Sequence, residues 1–400
     1  MKNDLTLTTL DKVCQFQNGF AFKSNTFKDN GVPVLRISNI QKDKIDLNKI
    51  VYINPNDYKE DLSKYKVYKG DLLIAMSGAT TGKIGFNNFE EIFFLNQRVG
   101  KFKPSELLIK KYLYYFLISK VEENLKISLG AAQPNLSTDQ IKSFKLPLGS
   151  VDQQKQIVAK LDQAFAAINT AKLNVEKNLE NAKELFQSKI NQIFSYKGEG
   201  WVERKLGEVA SLMTGGTPKR KNKEYFENGE INWLVSGDIH KKEIFECEGK
   251  ITQLGLESSN ARYLPLNSVM IALNGQGKTR GTVALLRMMA TCNQSLVSIY
   301  PNDINQLRPE YIYTALDARY QEIRELTGDG GNDRRGLNMP LIRNIKIFYP
   351  ENIQKQDEII KQIQMIRNKT ESLKLTYQQE FDSLEELKKS ILEKAFNGEL

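Results

Sequence analysis

Residues 151–157 read VDQQKQI and residues 353–359 read IQKQDEI, and each run opens a stretch of more than forty residues without proline or glycine. Apolar residues recur in both stretches at alternating steps of four and three, as they do in coiled coils. Each stretch predicts one helix of about 65 Å, at roughly 1.5 Å per residue. Because such an apolar stripe needs a partner, we expect the two helices to pack together, antiparallel, with a globule at either end.

The two predicted stripes consist mainly of large apolar side chains. The first comprises Leu161, Phe165, Ile168, Val175, Leu179, Ala182, Phe186 and Ile193. The second comprises Ile363, Thr370, Leu373, Tyr377, Phe381, Leu384, Leu387, Ile391 and Ala395. Two lysines, Lys172 and Lys189, interrupt the first stripe.

The helices belong to a repeat that runs through the whole chain at an offset of 196 to 202 residues. Matching pairs include Leu10–Val13 with Leu206–Val209, Gly19 with Gly215, IAMSG (74–78) with IALNG (271–275), Asn96-Gln97 with Asn293-Gln294, and Tyr112-Leu113-Tyr114 with Tyr311-Ile312-Tyr313. Several matches in the same register indicate a duplicated module rather than chance.

The repeat divides the chain into four segments. Residues 1–150 and 198–352 are two globules, and residues 151–197 and 353–400 are the two long helices. Short apolar runs that end in glycine-rich turns predict strands in the globules, with a helix at 105–119 and again at 307–325. We therefore predict an α/β (α+β) fold: two pseudo-symmetric domains, each with a twisted, mostly antiparallel sheet, joined by an antiparallel coiled coil.

The excess of positive charge lies in the predicted globules. The chain has a net charge of +9; the two helical segments hold 15 basic and 14 acidic residues, and the globules hold 42 and 34. A basic excess on the globules suits a polyanion such as DNA, with the helices as a spacer.

Composition excludes several other classes of protein. His240 is the only histidine, and the three cysteines (Cys14, Cys247 and Cys292) form no pair at metal-ligand spacing. A zinc site, a disulfide framework and a His-dependent catalytic triad are therefore not expected. The longest apolar runs are too short to span a membrane and the first residues lack a signal peptide's apolar core, which favours the cytoplasm.

One segment resembles a nucleotide-binding loop. Residues 272–279 (ALNGQGKT) nearly match GxxxxGK[ST], with alanine in place of the first glycine. However, residues 282–286 predict a strand where the motif requires a helix. We expect no nucleotide and no other cofactor.

Taken together, these features resemble the DNA-specificity subunits of type I restriction-modification systems, over the whole chain. The resemblance rests on the duplicated layout, on the IAMSG and IALNG elements, and on Pro147 followed by the helix that opens at 151–157. It implies two target recognition domains joined by two long helices, with no catalytic activity of their own.

The same resemblance implies partners. Each domain would read one half of a bipartite site in double-stranded DNA across the major groove, and the helices would fix the length of the unread spacer. The chain would bind two S-adenosylmethionine-dependent adenine methyltransferase subunits and then two ATP-driven restriction and translocation subunits.

The repeat offers a filter for DNA contacts. Two halves that read different half-sites must differ where they touch base edges, whereas positions shared by both halves serve the fold, phosphates or partners. Asn and Gln can pair bidentately with adenine, but Asn96-Gln97 and Asn293-Gln294 are shared. We interpret these amides as buried and satisfied.

The loops after the repeated strand pass this filter, because they share glycines and differ in polar side chains. Their predicted contacts are Ser77, Thr80, Thr81 and Lys83 in the first half and Asn274, Gln276, Lys278, Thr279 and Arg280 in the second. The alternative is a plain turn with solvated ends.

Other differing segments supply further predicted contacts. They are Lys219, Arg220 and Lys221 with the counterparts Lys23 and Ser24; Arg334 and Arg335 in a glycine-rich run; and Arg36, Ser38 and Asn39 with Asp238. Ordinary solvated loops would explain the same residues. His240, beside Lys241 and Lys242, is interpreted as a surface residue.

Three alternative functions stay open on the sequence. The same architecture could serve a system in which one partner polypeptide both methylates and cleaves. A coiled-coil scaffold without a DNA role would show no steep salt dependence of DNA affinity. An enzyme that acts through the loop at 272–279 would bind ATP.

Overall fold

The structure is a computed structural model of the chain, and it describes residues 5–41, 43–120, 135–195, 198–275, 278–327 and 336–400. The chain forms two compact units, Met1–Glu176 with Gln378–Leu400, and Lys177–Tyr377. Each unit therefore contains one globule and half of each long helix.

Ten α-helices lie in the described residues. They are α1 (Leu10–Val13), α2 (Lys110–Ser119), α3 (Thr138–Lys142), α4 (Val151–Ser195), α5 (Leu206–Val209), α6 (Gln253–Glu257), α7 (Pro309–Ala318), α8 (Tyr320–Glu325), α9 (Met339–Asn344) and α10 (Ile353–Phe396). The two long helices that the repeat predicts are α4 and α10, which confirms that they exist; they begin at Val151 and Ile353.

Side chains at the N-termini explain why both long helices begin where they do. The Ser150 hydroxyl accepts a hydrogen bond from the Gln153 N–H, and the Gln153 side chain accepts one from the Ser150 N–H, as in a capping box. At the start of α10, Asn352 Oδ1 accepts from the Lys355 N–H.

In the first unit, α4 packs antiparallel to α10. Buried Phe165 lies near Lys388, whose ammonium is 4.9 Å from the ring centroid, and Lys172 contacts Phe381 and Glu385 further along. Residue numbers thus rise on one helix as they fall on the other. Leu392, Ala395 and Phe396 join the core of this globule.

In the second unit, the other halves of the same helices also share one core. Ile190 of α4 and Ile359 and Ile363 of α10 are buried among the apolar residues of the second globule. The predicted stripes differ from the structure at three places: Ile190 is buried beside exposed Lys189, and Leu373 and Leu387 are exposed. Apolar type alone does not identify the buried face, because leucines also occur outside it.

The first globule contains twelve short strands among its described residues. They are β1 (Thr6–Thr9), β2 (Cys14–Asn18), β3 (Val32–Leu35), β4 (Ile40–Gln41), β5 (Lys44–Ile45), β6 (Val51–Ile53), β7 (Lys66–Val67), β8 (Leu72–Ala75), β9 (Ile84–Phe86), β10 (Phe93–Leu95), β11 (Val99–Pro104) and β12 (Lys145–Leu148). They form four-stranded sheets in the orders β6-β3-β10-β7 and β2-β11-β8-β9, and the pairs β1-β12 and β4-β5.

The second globule has ten described strands. They are β13 (Trp201–Lys205), β14 (Ala210–Thr214), β15 (Ile231–Leu234), β16 (Glu243–Ile244), β17 (Lys250–Ile251), β18 (Val269–Ala272), β19 (Val283–Leu286), β20 (Thr291–Cys292), β21 (Leu296–Pro301) and β22 (Lys346–Pro350). Their sheets have the orders β14-β21-β18-β19-β16, β17-β15-β20 and β13-β22.

The mixed helix-and-sheet class is confirmed, but the sheets differ in detail from the prediction. Each globule distributes its strands over several small sheets rather than one. Most pairings are antiparallel, and the pairs β3–β10, β15–β20 and β16–β19 are parallel. The predicted helix at 105–119 begins only at Lys110, and the one at 307–325 is divided between α7 and α8.

The shared positions of the repeat build the frame of each globule. Tyr112 and Tyr311 are fully buried, and their hydroxyls donate to the carbonyls of Pro147 and Phe348. Gly19 and Gly215 each touch a strand end, because an added Cβ would lie 2.2 Å from the Asn96 oxygen and 1.7 Å from the Cys292 oxygen. Residues that match in the sequence repeat therefore make equivalent contacts in the two globules.

None of the described helices is long and apolar enough to cross a membrane.

Candidate nucleic-acid interface

In each globule, several loops follow the carboxyl ends of a parallel pair of strands; the second globule also has the parallel pair β16–β19. In the first globule β3 pairs with β10 through Val34–Phe94 and Leu35–Leu95. In the second, β15 pairs with β20 through Trp233–Thr291 and Leu234–Cys292. Parallel strands end at the same edge of a sheet, so the chain that follows each strand meets there.

We call the segments 36–41, 77–83 and 96–98 the first loop edge. The Thr80 hydroxyl donates to the Ile37 carbonyl at 3.0 Å, and Lys83 Nζ donates to Gln41 Oε1 at 3.0 Å. The Met76 N–H, one residue before the middle segment, donates to the Arg98 carbonyl. Two predicted contact segments therefore lie against each other.

We call the segments 235–242, 274–282 and 293–295 the second loop edge, of which residues 276 and 277 are outside the described part. His240 Nε2 and Thr279 Oγ1 share a hydrogen bond of 3.0 Å. The Leu273 N–H donates to the Ser295 carbonyl. The second half thus repeats the arrangement of the first with different side chains.

The side chains of Asn39 and Asp238 are buried and form hydrogen bonds with the backbone of their own loops. Asn39 is fully buried, and its Oδ1 accepts from the Arg36 N–H at 3.0 Å. Asp238 is 8% exposed; its Oδ2 accepts from the Val235 N–H at 3.0 Å and its Oδ1 accepts from Lys241 Nζ at 3.1 Å. Burial corrects the expectation that these two side chains face DNA. The Asp238 bond also raises the pKa of the Lys241 ammonium.

Ser77 and Thr81 are also buried. Ser77 forms an isolated bridge with Asn135, and the Thr81 hydroxyl donates to the Gly78 carbonyl at 2.7 Å. These two side chains support the turn, in which Gly78 and Gly82 have positive φ. Thr80 and Lys83 are half-buried. In the same half Ser38, Lys23 and Ser24 are exposed.

Arg36 connects the first loop edge with the segment that holds Lys23 and Ser24. Its guanidinium carbon is 5.7 Å from the centroid of the Phe27 ring, and its Nη2 donates to the Lys49 carbonyl at 2.8 Å. Arg36 Nε is buried without a partner among the described residues. A stacked arginine with an unused donor is a suitable group for a phosphate or a base edge.

The basic run of the second half lies beside the second loop edge. Lys219, Arg220 and Lys221 are exposed, and Thr217 at the start of the run donates to Gln294 Oε1 at 2.5 Å. Gln97 and Gln294 are themselves exposed, so their interpretation as buried amides is wrong. Asn293 does satisfy its own turn, since its Oδ1 accepts from the Ser295 N–H.

The remaining predicted contacts fall in two groups. Asn274 and Lys278 are exposed, and Thr279 and Arg280 are half-buried. Gln276, Arg334 and Arg335 lie outside the described residues. Gly336, which follows the glycine-rich run, lies against Asn274, because an added Cβ would be 1.8 Å from Asn274 Oδ1.

Three further residues of the loop edges were not among the predicted contacts: Gln41, Arg98 and His240. Arg98 is exposed directly after the shared Asn-Gln pair, where the second half has Ser295. The repeat filter could have found it, because the two halves differ there. Over the described residues, no cluster of three or more His, Cys, Asp or Glu side chains is placed to hold a metal ion.

The family model for the type I restriction modification DNA specificity domain matches this chain twice, over residues 3–179 and 198–380. The chain belongs to this family. It is a type I restriction-modification specificity subunit, with two recognition domains and two long helices.

Relatives in the type I specificity family support the assignment. The EcoR124I/EcoR124II specificity subunit of Escherichia coli is 28% identical over 66% of this chain, an alignment that takes in 64% of that relative's length. The StySPI specificity subunit of Salmonella potsdam is 23% identical over 99% of this chain and 88% of its own length.

Two solved structures share the fold. One belongs to a study of complex assembly and conformational transition in the type I R-M system; it has a TM-score of 0.77 at 17% identity and covers 99% of this chain and 98% of the other. The HsdS subunit of Thermoanaerobacter tengcongensis has a TM-score of 0.62 at 17% identity, covering 99% and 97%.

Proposed function

We propose that this chain reads a bipartite site in double-stranded DNA, one half-site with each globule, on behalf of catalytic partner subunits. The two loop edges share a backbone frame at the carboxyl ends of β3–β10 and β15–β20 and differ in the side chains they present. A common frame with unlike surfaces is what two readers of different sequences require.

Charge supports DNA as the ligand. Lys219, Arg220 and Lys221 are exposed beside the second loop edge, and Arg36 and Lys83 belong to the first. Basic side chains of this kind contact phosphates and fix the register of a protein on the duplex, whereas differing polar groups read bases.

The long helices would set the length of the unread spacer. α4 and α10 contain 45 and 44 residues. They pack antiparallel in the first unit and share one core in the second, and paired helices would connect the readers stiffly. A change in the length of both helices should therefore change the spacer and leave the half-sites unchanged.

Exposed leucines on the long helices support docking of two like partners. Leu173 and Leu375 occupy matching positions of the repeat and are 66% and 68% exposed; Leu185 and Leu387 match likewise and are 61% and 47% exposed. Apolar groups kept exposed at equivalent positions indicate a protein interface that is used twice. Two methyltransferase subunits, with restriction and translocation subunits added to them in the cytoplasm, would complete the enzyme.

Domain exchange tests the proposal. Residues 198–352 are replaced by the corresponding domain of another specificity subunit, and methylated adenines are mapped across the host genome. One half-site should change, while the other half-site stays. A change in both half-sites, or in neither, contradicts the assignment of one reader to each globule.

A further inference from the structure

Gln41 and His240 occupy the same place in the two halves. The isoleucines before them match, Ile40 with Ile239, as do the capping residues Asn39 and Asp238. Both side chains also reach across to the loop after the repeated strand. Gln41 Oε1 accepts from Lys83 Nζ, and His240 Nε2 is bonded to Thr279 Oγ1, each at 3.0 Å.

The hydrogen bond from position 41 or 240 to the facing loop occurs in both loop edges, but the side chains that form it differ. Gln41 also donates to the Ser38 carbonyl at 2.8 Å, so its amide is held at both ends. His240 uses one ring nitrogen for Thr279, and within the described residues Nδ1 has no partner. The ring is exposed, so Nδ1 is free to meet a ligand.

We propose that positions 41 and 240 are DNA-contacting positions, and that His240 contacts the backbone of the second half-site as an imidazolium, so that this chain takes up a proton when it binds DNA. The inference rests on the proposed DNA-reading function. It assigns to the only histidine of the chain a role that its sequence context did not reveal.

The groups around His240 are mainly cationic. Lys241 and Lys242 lie on its own segment, where the Asp238 carboxylate is turned inward to Lys241 and Val235. From the facing loop come Lys278 and Arg280, and Tyr320 and Arg324 of α8 adjoin that loop, since the Tyr320 hydroxyl donates to the Lys278 carbonyl. Two carboxylates follow on the same stretch of chain: Glu243 pairs with Arg287, and Glu246 lies near Lys241. A DNA phosphate would be a further anion beside this mainly cationic group.

DNA binding at this position should be coupled to proton uptake by the His240 ring. A phosphate next to the ring stabilises its protonated form, so DNA binding raises the affinity of the ring for a proton. DNA affinity should therefore rise as the pH falls through the range in which imidazole ordinarily titrates, between pH 8 and 6. The cysteines should not contribute in this range, because burial raises the pKa of Cys14 and Cys292 to about 12 and also raises the pKa of Cys247.

The repeat supplies its own matched variants. His240→Gln gives position 240 the side chain that position 41 carries, and Gln41→His does the reverse. The wild type, both single variants and the double variant are compared as the full chain in complex with its methyltransferase subunits, so that titrating groups of the partners cancel. Affinity for a duplex that carries the mapped site is measured at constant salt from pH 6 to 8, with circular dichroism as the check on folding.

The expected results are specific. The wild type should bind roughly fivefold more tightly at pH 6 than at pH 8, His240→Gln should lose that dependence, and the double variant should recover it through position 41. If the pH dependence of His240→Gln equals that of the wild type, His240 does not contact the phosphate. If Gln41→His adds nothing in either background, position 41 is not at the DNA.

The same complexes separate this inference from the function on which it rests. Salt dependence of the wild-type affinity at pH 8 reports phosphate contacts in general. A shallow salt slope contradicts the DNA-reading function itself. A steep slope together with a pH dependence that does not involve His240 overturns only the present inference.

Discussion

Lys172 and Glu385 form an ion pair between the first and second long helices, and the Lys172 ammonium lies 4.9 Å from the centroid of the Phe381 ring. The Lys172 side chain is only 13% exposed. In the sequence this lysine interrupts the apolar stripe. In the fold it stays on the buried face, with its charge placed between a carboxylate and an aromatic face.

Removal of this pair should show measurable coupling. In a double-mutant cycle of Lys172→Met and Glu385→Gln, followed by urea unfolding, we expect a coupling free energy of about 1 kcal/mol, since one partner is largely buried. The control is the exposed pair Lys155 and Asp152 on α4, for which about 0.3 kcal/mol is expected. Equal coupling in the two cycles would mean that burial adds nothing at Lys172.

Gln154 and Gln356 should be essential for stability. Each is fully buried. The Gln154 side-chain oxygen accepts from the Ile109 N–H, and its amide donates to the Leu107 and Gly149 carbonyls. In the same way, the Gln356 oxygen accepts from the Arg308 N–H, and its amide donates to the Gln306 and Pro350 carbonyls. Substitution of either by alanine leaves several buried backbone groups unpaired and should cost about 2 to 4 kcal/mol in the free energy of unfolding.

The matched control for Gln154 is on the same helix. Gln156 is exposed, and Gln156→Ala should change the free energy of unfolding by no more than about 0.5 kcal/mol. A small loss at Gln154 would show that the globule does not depend on this connection to the helix.

The exposed leucines of the repeat should control methyltransferase binding. Leu173→Glu or Leu375→Glu places a charge in the proposed interface and should weaken association with the methyltransferase subunit about tenfold or more, measured by surface plasmon resonance. Leu254→Glu is the control, because Leu254 is 49% exposed and belongs to α6 of the second globule, not to either long helix. If all three variants bind alike, the leucines serve another purpose.

The buried thiols of Cys14 and Cys292 should make the folded chain less stable at high pH. Burial raises the pKa of Cys14 and Cys292 to about 12, whereas an unfolded thiol ionises near pH 8.5. Between these values the unfolded chain releases protons that the folded chain retains, so stability should fall as the pH rises, by about 1.4 kcal/mol per pH unit for each thiol at most.

The measurement compares the wild type with Cys292→Ala over pH 8 to 11. The free energy of unfolding should decline less steeply in the variant, because one of the two thiols is absent. Identical slopes in the two proteins would show that the Cys292 thiol ionises as readily in the folded chain as in the unfolded one.

Longer helices should lengthen the spacer. Seven residues inserted after Glu176 and after Tyr377 preserve the coiled-coil phase and add about 10 Å at 1.5 Å per residue. Methylation mapping should show the same half-sites, separated by roughly three more base pairs. The domain exchange described above is the complementary control, since it changes a half-site and keeps the spacer. A spacer unaffected by the insertion contradicts the role of the helices.

The duplicated architecture and both long helices could be predicted from the sequence, because they depend on periodicity and on repeated positions such as Gln154 and Gln356. The burial of individual candidate residues could not be predicted. Asn39 and Asp238 are differing polar residues in the sequence, but a short polar side chain after a strand can cap its own loop. Only coordinates distinguish that use from exposure.

The sequence does not predict that His240 and Arg98 lie at the loop edges, for a different reason. Arg98 lies at the first loop edge because the parallel pair β3–β10 brings segments nearly sixty residues apart together, as β15–β20 does in the second globule. His240 belongs to the second loop edge through its hydrogen bond to Thr279. Local pattern reading does not predict such pairings between short strands, because the information lies in long-range packing. Within the frame they create, the comparison of the two halves then identifies positions 41 and 240.

Gly19 and Gly215 have a practical consequence for protein engineering. Each lies so close to a carbonyl oxygen of the neighbouring strand end that any side chain would displace the loops above it. Libraries that randomise the loops while retaining both glycines would sample new targets on an intact scaffold, whereas libraries that vary the glycines would be filled with misfolded clones.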